Sequence, residues 1–276
     1  MKKSTVIGLL AVGALPFFLV APGKIPAGAD AFFRGRRFAH RGLYEKDQSV
    51  AENSLEAFRR AVDAGYGIEL DVQLSKDGRV VVFHDDDLDR VCGVNTRVDA
   101  LPLARLRQLR LFETDARIPL FTEVLALVSG RVPLLVELKT GPRRKELCEK
   151  TLALLEAYSG DVCVESFDPR IVSWFRFHAP DMLRGQLAQP PRRYVNDNHM
   201  SPAAGFVLGN TLLNAAARPH FIAYLRGKRP LPVRVAESLG AMRAEWTPRS
   251  PEEEDTGSDA VIFEYYRPET VFQKEG

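Results

Sequence analysis

GIELDVQLSKDGRVVVFHDD, residues 67–86, reads as a strand, a turn and a second strand. In the run Ile68-Glu69-Leu70-Asp71-Val72, a side-chain period of two sends both carboxylates to one side and the aliphatic residues to the other. Two like charges at a strand end repel and are costly unless something positive lies between them. Hard oxygen ligands in that arrangement suit Mg²⁺ or Ca²⁺, although E-x-D pairs also occur on solvent-facing strands without a metal. The turn, Lys76-Asp77-Gly78, leads into a strand over residues 79–83 that ends at His84. Upstream, FAHRG at residues 38–42 contributes His40. Both imidazoles titrate near neutrality and can trade protons with a reacting group. Taken singly, either histidine could instead cap a strand end.

Working outward, short β-rich runs alternate with helical patterns, which signals βα units and a parallel sheet. Strands are expected over residues 37–40, 67–74, 79–83, 132–138, 162–166, 183–187, 221–225, 243–246 and 260–263, and helices over 54–64, 121–128 and 144–158. Leu55, Phe58, Ala61 and Val62 line one side of the first helix, with Asn53 or Ser54 as its cap. This alternation suits an α/β fold of the TIM (β/α)8 class. The rhythm breaks between about residues 85 and 119, and the acidic stretch 251–258 abbreviates the last βα unit. In such barrels functional groups gather where strands run into helices. His40, Glu69, Asp71, His84, Glu137, Lys139 and Trp246 all fall at or near expected strand ends.

The order of short motifs carries a family resemblance. HRG is followed by AENS (residues 51–54), LEAFRRAVDAG, the E-x-D strand, KDG, VVFHDD and LLVELK (134–139). This series resembles the glycerophosphodiester phosphodiesterase family, most densely over residues 37–139. It continues more weakly through VESFDP (164–169), EWTPRSPEE (245–253) and DAVIFE (259–264). Ala51 stands where the family usually has proline, a change that bears on loop stiffness more than chemistry, since Glu52 and Asn53 remain.

The resemblance implies a TIM barrel with a small insertion after the second strand. It implies metal-dependent hydrolysis of glycerophosphodiesters to glycerol 3-phosphate and an alcohol. Glu69, Asp71 and Glu137 would hold one divalent cation, Mg²⁺ or Ca²⁺, with Mn²⁺ a third candidate; Glu137 could instead pair with Lys139 alone. His40 and His84 would be general acid and base, acting on the glycerol 2-hydroxyl to give a cyclic phosphate or directly on water. Arg41 and Lys139 would neutralise phosphate oxygens, and Trp246 would be a pocket wall or a core aromatic. A lysophospholipase D-type lipid phosphodiesterase is the alternative within enzymes. The alternative outside them is a catalytically silent barrel that only binds, which would be expected to have lost a histidine or carboxylate.

The chain has 276 residues, 45% hydrophobic and 27% charged, enough for one large α/β domain or two small ones. A net charge of +2 argues against a nucleic-acid binder, and no protein partner is indicated. Cys92, Cys148 and Cys163 are too scattered for a disulfide scaffold or a zinc site. After Lys2 and Lys3 comes an uncharged apolar stretch, residues 6–21. Residues 1–33 are therefore expected to be a membrane anchor with a linker, the barrel (34–276) lying on the extracytoplasmic side. The alternative is a signal segment cleaved near Ala27-Gly28-Ala29, giving a secreted protein. Asp85, Asp86, Asp87 and Asp89 read as a solvated acidic loop, lacking the glycine and glutamate of a calcium loop. The basic and apolar segment 190–229 reads as a packed helix, or as a surface for anionic lipid. His178, His199 and His220 read as structural or surface residues.

Overall fold

In the computed structural model, which describes residues 17–255 and 257–271, the strands in chain order are β1 (Arg36–Ala39), β2 (Gly67–Leu74), β3 (Val80–Val82), β4 (Asp87–Leu88), β5 (Val94–Arg97), β6 (Leu134–Leu138), β7 (Val162–Ser166), β8 (Leu183–Ala188), β9 (Phe221–Leu225), β10 (Met242–Trp246) and β11 (Ala260–Phe263). β1, β2 and β6 to β11 are parallel and close on themselves, because β1 pairs with both β11 and β2. The result is the eight-stranded (β/α)8 barrel. The helices that cover it include α1 (Leu55–Asp63), α2 (Asp89–Cys92), α3 (Leu103–Leu106), α4 (Phe121–Val128), α5 (Arg144–Glu156), α6 (Pro169–His178), α7 (Pro191–Asn196), α8 (Pro202–Gly209), α9 (Asn214–Ala217) and α10 (Leu231–Ser238). Ser54 caps α1, its hydroxyl accepting from the Ala57 N–H at 3.1 Å, and Phe58, Ala61 and Val62 face inward as their spacing predicts.

The strand expected over residues 79–83 exists but is not a stave of the barrel. A parallel neighbour needs a crossover of a dozen or more residues, and the Lys76–Gly78 turn is far too short for one. β3 instead folds back antiparallel on the end of β2, with Val72 opposite Val82 and Leu74 opposite Val80. Gly78 turns the chain at φ +74°, a backbone conformation that favours glycine. The segment that follows holds the β4–β5 hairpin, α2 and α3, and buries Leu88, Val91, Val98, Leu106 and Ile118 beneath them. Among the described residues of 251–258 the one helical element is a 3₁₀ turn over Pro251–Glu253, so the last unit is short, as its sequence suggests.

The barrel interior is divided. Its lower part is an apolar plug that includes Phe33, Phe38, Leu135, Leu183, Phe221 and Ile262. Gly185 is required there, since a Cβ at that position would lie 2.0 Å from the Phe221 ring. Its upper part carries carboxylates, because Asp71, Glu137 and Glu165 stand side by side in the register of β2, β6 and β7.

The N-terminal expectation is corrected. Among the described residues no helix is long and apolar enough to cross a membrane. The membrane-anchored assignment, the outward-facing localisation and the membrane as a partner are therefore withdrawn; residues 6–16 of the expected span lie outside the described residues. The supposed linker is packed chain. Val20 is buried among Ile222, Tyr224 and Val233, and Phe33 stacks on Phe221 with ring centroids 4.5 Å apart. Backbone bonds fix the same segment: Asn214 Nδ2 donates to the Val20 carbonyl at 3.1 Å, and the Gly23 N–H to that of Pro219 at 2.9 Å. Cleavage near Ala29 would strip Val20 and Ile25 from the clusters they fill.

If the segment before β1 is part of the domain, Phe33→Ala should cost about 3–5 kcal/mol, measurable as a lower midpoint in urea unfolding followed by circular dichroism. A change below about 1 kcal/mol would mean that the plug forms without Phe33.

Candidate active site

Three strands and two loops assemble the site at the C-terminal mouth of the barrel. β2 lifts Glu69 and Asp71, and β6 lifts Glu137; all three are buried, and one oxygen from each lies within 4.8 Å of the others. The β2–β3 hairpin returns the chain so that the Phe83 N–H donates to the Asp71 carbonyl at 3.0 Å, leaving His84 beside the acids. His40 and Arg41 follow β1. Arg41 (φ +56°) and Asn53 (φ +53°) both adopt left-handed backbone, which is unfavourable for an arginine and seldom kept without a reason. Here it aims the Arg41 N–H at Glu69 Oε2, 2.9 Å away, while Asn53 Nδ2 donates to Asp71 Oδ2 at 2.8 Å.

Electrostatics shows why the acids need cations. Burial raises Glu69 well above the ordinary carboxyl range, and Asp71, Glu165 and Glu137 add to the effect. Glu137 is pushed up to about 7, burial outweighing the help of Lys139. Burial would raise Asp71 too, but Lys139, His84 and Arg41, with the Asn53 hydrogen bond, hold it well below its usual value. Lys139 Nζ bridges Asp71 Oδ1 (3.1 Å) and Glu137 Oε1 (2.9 Å) and stays charged despite its burial. Glu165 adds a fourth buried carboxyl, one oxygen of which has no hydrogen-bond partner. A compact set of hard oxygen donors with too little positive charge around it fits a divalent cation. Glu69, Asp71 and Glu137 are the residues that could hold one.

Each histidine is backed by a carboxylate. His40 Nδ1 lies 2.6 Å from Glu264 Oε1, and its Nε2 faces Glu69 Oε2 at 3.9 Å. Glu264 also accepts from Tyr44 Oη (3.0 Å) and Arg249 Nε (2.9 Å). Burial would raise its pKa, but His40 and Arg249 bring it to about 2, so it accepts and the Nδ1 of His40 carries the proton. His84 Nδ1 makes the equivalent 2.6 Å contact with Asp85, which Arg90 Nε grips at 2.7 Å. Burial, then the charge of Lys139, lowers the His84 imidazole to about 4. Arg90 and Arg41 both reach Glu52 Oε1, at 2.6 and 2.7 Å, tying the two loops together.

Glu264 and Asp85 were not legible as site residues. Asp85 reads as one of a run of loop acids, and it does face the rim, but its oxygens serve His84 and Arg90 rather than water alone. The available signal for Glu264 was a carboxylate closing the last barrel strand, the same rule that singles out Glu137.

Beside the acids opens a chamber of about 750 Å³, bordered by His84, Glu137 and Lys139 and walled by Phe167, Tyr194, Met200, Leu208, Leu213 and Trp246. Trp246 is thus a wall residue: its Nε1 donates to the Ala223 carbonyl at 3.1 Å and its ring meets Phe167 edge-on at 5.6 Å. The segment 190–229 is not one packed helix. It breaks into α7, α8 and α9, and Leu208 and Leu213 from this stretch face the chamber.

Residues 40–265 match the Glycerophosphoryl diester phosphodiesterase family. The chain belongs to that family. It is therefore a hydrolase of the phosphodiesterase class, with glycerophosphodiester-hydrolysing activity at the level of the family. A glycerophosphodiester phosphodiesterase of Caldanaerobacter subterraneus is 34% identical over 162 residues, 55% of this chain and 65% of that one. A lysophospholipase D of Rattus norvegicus is 32% identical over 139 residues, 46% of this chain and 42% of that protein's length. The barrel of an Oleispira antarctica phosphodiesterase, solved in complex with the product sn-glycerol-3-phosphate, is similar with a TM-score of 0.68. At 22% identity, covering 86% of this chain and 95% of that one, it shares the fold.

Because the crowded acids repel, Mg²⁺ or Ca²⁺ should raise the thermal midpoint of the hydrolase after chelator treatment. Glu69→Gln should leave the metal-free midpoint unchanged or higher while weakening the response to metal at least tenfold. An undiminished metal response in that variant would show that the ion binds elsewhere.

Proposed function

We propose that the chain is a metal-dependent glycerophosphodiester phosphodiesterase, yielding glycerol 3-phosphate and an alcohol. The observation that carries this reading is the pair of carboxylate-backed histidines, His40 and His84, set against the buried group Glu69, Asp71 and Glu137. A divalent ion held by those acids would polarise a phosphoryl oxygen and offset the charge that builds there. Arg41 and Lys139 lie against the same acids and offer positive charge to the phosphate. Glu264 and Asp85 fix the tautomers of the two rings, so that each turns Nε2 toward the substrate. As a new P–O bond forms, one ring removes the proton of the attacking hydroxyl and the other delivers a proton to the oxygen of the breaking ester. The acid ring's proton leaves on the alcohol, and in direct water attack the proton taken by the base ring returns to the acid ring through solvent. If the glycerol 2-hydroxyl attacks, the two rings exchange roles as water opens the cyclic phosphate, so both end as they began. The silent-barrel alternative expects a missing histidine or carboxylate, and the full set is present.

A second reading, lysophospholipase D-type cleavage, is favoured by one observation: the chamber that adjoins the acids is walled largely by apolar and aromatic side chains. An acyl chain on the glycerol would have somewhere to go.

His40→Ala and His84→Ala should each lower kcat by about 10²-fold or more, with an unchanged circular dichroism spectrum. Near-normal release of glycerol 3-phosphate by either variant would end the two-histidine mechanism. Glu264→Gln should reduce kcat far more than it alters KM, since it disturbs a ring rather than substrate contacts; an effect confined to KM would contradict its positioning role. Between the two substrate classes, Leu213→Asp decides. It should spare glycerophosphodiesters lacking an acyl chain and, under the second reading alone, depress kcat/KM for lysophospholipids at least tenfold.

A further inference from the structure

Far from the mouth, where Phe33 and the chain before it close the barrel floor, three arginines without ion pairs among the described residues gather: Arg176, Arg184 and Arg218. Arg184 is the second residue of β8 and is buried, its residual exposure being 5%. An arginine presents its best two-donor edge through Nε and Nη2, the edge that takes carboxylates and phosphates side-on. Arg37, Arg90, Arg143 and Arg170 all close that edge on a single carboxylate, Glu254, Asp85, Glu146 and Asp168 respectively. Arg184 does not. Its buried Nε has no partner, no hydrogen bond is made by Nη2 among the described residues, and the side chain's one acceptor is the Pro180 carbonyl, 3.2 Å from Nη1.

The neighbours repeat the pattern. Arg218 Nη1 donates to the Ala21 carbonyl at 2.9 Å, and Arg176 Nη1 to that of Ala216 at 2.8 Å. Arg176 Nη1 also donates to the Ala215 carbonyl at 3.2 Å, and aromatic faces lie alongside, Phe18 at 4.6 Å from Arg218 and Phe177 at 4.9 Å from Arg176. Neither arginine has an ion pair among the described residues, and the nearby Asp181 also forms none. Arg184 and His220 meet beside Gly23, where a Cβ would lie 3.2 Å from Arg184 Nη2, 3.0 Å from the His220 ring and 2.5 Å from the backbone carbonyl of Arg218. His220 Nδ1 accepts the Arg184 backbone N–H at 3.3 Å, which leaves Nε2 as its donor. Burial, then Arg176, pushes Arg184 down to about 10, and the same two causes lower Arg218.

A buried guanidinium without a counter-ion is costly, and a cluster of them more so. We infer that the N-terminal face of the barrel carries a binding site for a phosphate-class oxyanion, centred on Arg184 and completed by Arg176, Arg218 and His220. A tetrahedral anion can accept from several of these donors at once, which a single carboxylate cannot do as well. Its source is free inorganic phosphate or a small phosphomonoester, since both present the same oxygens. This site is separate from the proposed hydrolytic one and does not depend on that reading.

The test is calorimetric titration of inorganic phosphate, and separately of sn-glycerol 3-phosphate, into the full chain with chelator present and ionic strength fixed with chloride. Wild type should show a phosphate isotherm that Arg184→Met weakens at least tenfold, with hydrolysis of a glycerophosphodiester unchanged within twofold. Tighter binding of the monoester than of phosphate, lost in the same variant, would name the ester as the source. Should Arg184→Met fail to fold, Arg176→Gln and Arg218→Gln, both at half-buried positions, carry the test with the same expected loss. Identical isotherms in wild type and in the variants that fold would overturn the site.

Discussion

Repulsion among carboxylates inside the upper barrel is the constraint around which this molecule is arranged. Parallel strands in register bring Asp71, Glu137 and Glu165 abreast, with Glu69 one step below Asp71 on the same face of β2. All are buried, so each must find a cation or a donor, or remain protonated. Lys139, Arg41 and Asn53 are the answers the chain provides for itself, and the unfavourable backbone of Arg41 and Asn53 is held because those donors are needed there. The arrangement is stable enough to exist yet short of positive charge, which is the condition under which an added divalent ion binds well.

The same logic organises the rim. Two histidines, from different strands, each lean on an acid that is itself gripped by an arginine: His40 on Glu264 and Arg249, His84 on Asp85 and Arg90. Glu52 then links Arg90 to Arg41, so that one polar network runs from the loop after β3 to the loop after β1. Rings anchored at Nδ1 lose rotational freedom, and an anchored ring holds its other nitrogen in one place without further cost at the moment of reaction.

Much of this was legible in the sequence because the pattern is local. The alternation within Ile68–Val72 gives both the strand and the face its acids share, and the Ser54 cap with its apolar stripe gives α1. Other features depend on distances the chain does not reveal locally. β3 has the composition of a stave, and only the short turn before it forces the antiparallel return. The apolar N-terminal stretch carries the same signal whether it enters a bilayer or, as Val20 does at its end, packs against β9 and α10. Glu264 meets His40 across 224 residues of chain, so no window of sequence brings them together. The wall of the chamber is likewise gathered from several loops, and its shape is a property of the closed fold.

That long separation has a consequence for how the molecule comes into being. β1 hydrogen-bonds to β2 on one side and to β11 on the other, so the earliest strand to leave the ribosome waits for the latest before the ring can close. Contacts of such high sequence separation are made late and slowly, since the entropy of closing a long loop is lost before the contact rewards it. His40 and Glu264 sit on the two strands of that seam. A chain stalled with its seam open would keep most of its βα units and yet lack the partner that orients one of its two rings. The closing of the ring and the completion of the His40–Glu264 pair are thus a single late event.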